Sequence, residues 1–84
     1  QAPDGYDKDI KLGDRGVEVV WLTTQLKELV DPDLIIGSEF NQPVHDAVVK
    51  FQKINYLQSD GIAGMKTIVY INSELLEGIP KLLD

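Results

Sequence analysis

Phe51-Gln52, a short loop, and then Asp60-Gly61-Ile62-Ala63-Gly64-Met65-Lys66-Thr67 decide how this chain folds. The second string holds two glycine-supported turns and opens a helix. Glycine reaches backbone conformations closed to other residues, so Gly61 and Gly64 mark where the chain must turn before that helix begins. Gly13-Asp14-Arg15-Gly16-Val17-Glu18-Val19 makes a similar Gly-x-x-Gly entrance earlier in the chain. Two matching entrances shape a surface between helices.

Outward from these strings, three helices are expected. The first runs from about Val17 to Leu29, with Val19, Leu22, Leu26 and Leu29 at the three- and four-residue spacing of one buried face. Asp31-Pro32-Asp33 stops it, because proline cannot continue the hydrogen-bond ladder. Leu34-Ile35-Ile36-Gly37 follows as an apolar connection able to form a brief strand. Pro43 suits a first helical turn, and a second helix is expected to Ile54, burying Val44, Ala47, Val48, Phe51 and Ile54. Asn55 can take a left-handed conformation and end it. The third helix starts after Gly64, buries Ile68, Ile71 and Leu75, and ends at Gly78 and Pro80. Residues 1–10 read as a polar linker, 11–76 as the folded domain and 77–84 as a C-terminal tail.

Composition removes several classes of function. The chain has 84 residues and no cysteine, so one small core must hold itself without disulfides. Fourteen acidic against eight basic residues give a net charge of −6, which opposes binding to nucleic acid or to an anionic membrane. No apolar run approaches the roughly 20 residues of a membrane span. The polar start at Gln1 shows no signal peptide and points to a processed protein or an excised domain.

Candidate chemistry is sparse. His45 beside Asp46 lacks a further partner for a triad or a metal, and reads as a solvated histidine. No serine stands in a Gly-x-Ser-x-Gly elbow. Asp4, Asp7 and Asp9 do not follow the spacing of a calcium loop. Asp31 with Asp33, and Glu74 with Glu77, read as solvated pairs. No catalytic residue, metal site or cofactor is expected. Trp21, next to core Leu22, lies at the edge of the buried stripe and reads either as a lid on the core or as an aromatic platform; Tyr56 and Tyr70 permit the same two readings.

In this order and spacing the strings resemble the peptidoglycan-binding domain of many bacterial cell-wall hydrolases, over about Ile10 to Leu75. Leu12-Gly13-Asp14-Arg15-Gly16-Val17-Glu18-Val19 with Leu22 and Leu26 is similar to its first-helix signature. Phe40, Ala47-Val48 and Phe51-Gln52 are similar to the second; Leu57, Asp60-Gly61-Ile62-Ala63-Gly64 and Thr67 to the third. The chain departs from the family at Thr23 (usually glutamine), Val44 (commonly threonine), Tyr56 (usually glycine) and Met65 (frequently proline). Trp21-Leu22 and Gly78-Ile79-Pro80 look more specifically like the periplasmic C-terminal domain of general secretion pathway protein A type ATPases.

The resemblance implies an all-α fold, a compact three-helix bundle with short irregular connections. It implies a non-catalytic module that anchors an attached protein, such as a secretion-system assembly factor, to the wall from the periplasm or cell envelope. Expected partners are the glycan and stem peptide of peptidoglycan and other subunits of a secretion or cell-wall complex. The expected ligand residues are Arg15 for a carboxylate, Gln52 for amides, Asp60 and Gly61 at the turn, and Trp21 and Tyr56 for stacking. Each has a structural alternative: Asp60 capping its own turn, Gln52 locking the loop. A protein-docking module that keeps the fold without wall binding is the alternative function. A regulatory prodomain without a cysteine plug, and an independent hydrolase, rank below it.

Overall fold

The computed structural model describes residues 9–77. Three helices follow one another: α1 (Val17–Leu29), α2 (Gln42–Ile54) and α3 (Met65–Glu77). The described residues contain no strand, only two isolated antiparallel bridges, Ile10 with Ala63 and Arg15 with Glu39. The fold is all-α, as the spacing predicts. The expected tail, including Gly78 and Pro80, lies outside the described residues, as does the Leu75 side chain.

Local signals set the helix ends. Gly16 precedes α1 at φ 136°, and its carbonyl accepts from the Val19 and Val20 amides at 3.1 and 3.3 Å. At the far end Leu34 N donates to Asp31 O at 3.0 Å across Pro32, and Lys27 Nζ donates to the Pro32 and Leu34 carbonyls at 2.7 and 3.0 Å. Asn41 caps α2, its side chain accepting from Val44 N at 3.3 Å, with Pro43 in the first turn.

The end of α2 differs from expectation. Asn55 stays at φ −100°, and Tyr56 takes the left-handed conformation at φ 60°. Tyr56 N donates to Lys53 O at 3.2 Å and Leu57 N to Gln52 O at 2.8 Å. This pair is a Schellman motif, whose left-handed position is usually glycine.

The core joins all three helices: Val19, Leu22 and Leu26 of α1, Val44, Ala47, Val48 and Phe51 of α2, Ile68 and Ile71 of α3, with Phe40, Leu34, Ile10 and Ala63 from the connections. Ile10, the last residue of the expected linker, is fully buried, and its N–H and C=O pair with Ala63 at 3.1 and 2.8 Å. Thr23 is also fully buried. Its hydroxyl donates to Val20 O and accepts from Gly37 N at 3.2 Å, so it ties the apolar connection to α1.

One packing expectation and one strand expectation are corrected. Ile54 is exposed, because it flanks the buried stripe on the side opposite Gln52, and the loop before α3 covers only the Gln52 side. Ile35 and Ile36 are exposed as well and form no strand; only Leu34 of that run enters the core.

Candidate functional site

Gln52 organises the surface between α2 and α3. Its side chain is 1% exposed, a position that an amide tolerates only with every polar atom paired. Oε1 accepts from Gly61 N at 3.0 Å. Nε2 lies 3.0–3.1 Å from Asp60 Oδ1, Ile62 O and Thr67 Oγ1. One side chain thus fixes the loop before α3 and the first turn of α3 to the end of α2.

Asp60 completes that turn. Its Oδ1 also accepts from Ile62 N at 2.9 Å, an Asx turn. Both structural readings of Asp60 and Gln52 are therefore realised. Asp60 remains exposed, and Gln52 does not. Gln52, expected to recognise a ligand's amides, lies beneath the surface with its amide engaged internally.

Gly61 is buried at φ 75°, its Cα beneath the His45 ring. The conformation favours glycine, and a Cβ there would push the His45 imidazole aside. His45 is accordingly no freely solvated residue. Its side chain is 32% exposed, and Nδ1 lies 3.4 Å from Gln42 Nε2 and 3.5 Å from Asp46 Oδ1.

Above this loop is an open groove of about 370 Å³. Gln52 and Thr67 underlie it. Tyr56, Leu57 and Met65 supply apolar lining, and Asp9, Asp60 and Lys66 supply charge. Tyr56 is 96% exposed. Asp9 lies against the start of α3, its Oδ1 3.1 Å from the point a Cβ on Gly64 would occupy.

Of the six expected ligand residues, the groove brings together Gln52, Tyr56 and Asp60. Arg15 lies outside it, its guanidinium 3.8 Å from Glu39 in an exposed pair. Trp21 packs against the core from α1, with an indole N–H that is buried and lacks a partner among the described residues. Asp9, Met65 and Lys66 were missed. The signal for Lys66 was present: an exposed cation inside the string that carries Asp60. Among the described residues no three His, Asp or Glu side chains gather to hold a metal, and no helix is long and apolar enough to cross a membrane.

Residues 15–70 match the family model of the peptidoglycan binding domain, and the chain belongs to that family. It is similar to the endolysin of Burkholderia AP3 phage at 37% identity and a TM-score of 0.75, over 80% of this chain and 25% of that one. It is similar to the N-terminal domain of SleB at 26% identity and a TM-score of 0.78, over 82% of this chain and 94% of that one. A periplasmic domain of the EpsAB fusion protein of the Vibrio vulnificus type II secretion system matches at 25% identity and a TM-score of 0.68, over 83% of this chain and 32% of that one. This chain therefore spans about a quarter of the endolysin's length.

Proposed function

We propose that this domain is a non-catalytic module that binds peptidoglycan and anchors an attached protein to the bacterial wall in the cell envelope. The observation that supports it is the groove over the Gln52-braced loop, in a chain of the peptidoglycan-binding family. Residues 11–76 form the body of the binding unit, which Asp9 at the groove and Ile10 in the core extend by two residues at its start. The likeness to the EpsAB periplasmic domain supports a secretion-assembly factor as the attached protein.

The groove sits at the small end of ligand sites and stands open to water, so one copy binds weakly. Attachment then relies on several copies held together, which raises effective concentration. Co-sedimentation with purified sacculi, of the single domain and of an oligomeric fusion, tests the proposal. Recovery of the fusion in the pellet is expected. If both stay in the supernatant at low salt, wall binding is wrong.

Trp21 favours a second reading, a docking module for another protein. Val17, one turn before it on α1, is exposed beside the partly buried Trp21 ring, so this face of α1 offers apolar surface. Failure to sediment, combined with capture of a subunit of the same envelope complex that Trp21→Ala abolishes, would favour docking.

A further inference from the structure

The charges of the groove have both signs. Asp60 is fixed by the Gln52 amide and the Ile62 amide through Oδ1, which leaves Oδ2 unengaged among the described residues. Asp9 and Lys66 make no ion pair with any described residue. A purely anionic ligand would meet two carboxylates there, and a purely cationic one would meet an ammonium. A ligand bearing both charges satisfies all three groups.

Two of the groove's residues also stand against their own backbone preferences. Lys66 is a cation in the first turn of α3, where the helix dipole favours anions, and that turn contains no acid. Tyr56 holds a left-handed backbone conformation while its ring lies almost wholly in solvent. Neither placement helps the fold. Local conflicts of this kind collect where a surface serves a ligand.

Size narrows the ligand further. About 370 Å³ accommodates one or two residues of a peptide and not an extended glycan. Tyr56, Leu57 and Met65 suit a short aliphatic chain between charged ends.

Resting on the peptidoglycan reading, we infer that the groove selects the zwitterionic end of a stem-peptide diamino acid, a free ammonium and carboxylate on one carbon. Asp9 and Asp60 receive the ammonium, and Lys66 receives the carboxylate. Crosslinking turns that ammonium into an amide, so the domain prefers uncrosslinked wall.

The test is NMR titration of the chain with a disaccharide tripeptide ending in meso-diaminopimelate. The same muropeptide is then used with its free amine acetylated, and again with only the carboxylate on the amine-bearing carbon amidated. Shifts centred on residues 56–67 and roughly five- to tenfold weaker binding of each modified form are expected. Lys66→Gln weakens the unmodified ligand and leaves the amidated one unchanged; Asp9→Asn behaves likewise toward the acetylated one. Neither substitution removes a described hydrogen bond, so both variants fold. Equal affinity for all three muropeptides, with sacculi still sedimenting the domain, overturns this inference and keeps the peptidoglycan reading. No shifts together with no sedimentation overturns both.

Discussion

Replacing Tyr56 by glycine should stabilise this domain while weakening its hold on ligand. A left-handed conformation costs a residue with a Cβ about 1–2 kcal/mol, and Tyr56 sits at φ 60°. Glycine removes that strain but loses about 0.5–1 kcal/mol through its freer unfolded chain. The ring is 96% exposed, so its removal forfeits almost no burial. Both amide bonds of the Schellman motif are backbone bonds and survive the change. The net is a gain of about 0–1.5 kcal/mol, and at its midpoint, at about 4–8 °C per kcal/mol, a domain of this size should melt about 3–6 °C higher.

Tyr56→Ala separates the backbone from the ring. Alanine has a Cβ and keeps the strain, so its melting temperature should stay near that of the parent. For muropeptide binding the two variants should instead be equally impaired, since both lack the ring. Thermal melts by circular dichroism and titrations on the same preparations read both quantities. A Tyr56→Gly domain no more stable than Tyr56→Ala would refute the strain argument. Unchanged binding in both would remove Tyr56 from the ligand surface.

Four further substitutions address the loop and its rim. Gln52→Leu strands the Gly61 amide and the partners of Nε2; urea unfolding should show a loss of about 2–4 kcal/mol, a large share of what a domain this small possesses. Gly61→Ala should cost about 2–3 kcal/mol through strain at φ 75° and collision with His45, and His45→Ala should recover part of it in a double-mutant cycle. Lys66→Glu should leave the urea midpoint near the parent's, because the about 0.3–1 kcal/mol an acid gains in the first turn of α3 is offset by repulsion from Asp9 and Asp60, while binding of the zwitterionic muropeptide falls.

Helix positions were legible because their signals are local. Pro32, Asn41 with Pro43, and the two Gly-x-x-Gly entrances each act within one turn of the chain; α1 and α2 begin and end, and α3 begins, within a residue of where these signals put them. The loop-locking role of Gln52 was among its sequence readings, but which of Ile54 and Gln52 is buried was not legible, for one reason. At 100° per residue, each lies roughly 80° to one side of the stripe formed by Val44, Ala47, Val48 and Phe51. Periodicity cannot rank two such flanking positions, and hydropathy favours the isoleucine. The loop of residues 57–62 folds over the Gln52 side alone, so the amide is buried and the isoleucine stays in water. Likewise the left-handed residue after α2 was sought at Asn55, the better-suited side chain. Helix length and the Leu57 bond to Gln52 O place it one residue later.

The four departures from the family pattern divide along the same boundary. Thr23 and Val44 are buried, and both are satisfied where they stand: the Thr23 hydroxyl bridges to Gly37, and Val44 joins the core. These two bear on the fold. Tyr56 and Met65 are exposed at the groove, where a change of side chain leaves the core untouched. Within the opening string itself, Gly61, Ala63 and Thr67 are buried and hold the loop, whereas Asp60, Met65 and Lys66 face solvent. A sequence signature built on the buried set therefore reports the scaffold and is silent on what the rim prefers. Ligand preference can drift through Tyr56, Met65 and Lys66 at almost no cost to the fold, and through Gln52 and Gly61 only by risking it. Family membership and the proposed ligand specificity thus rest on different residues of one short stretch.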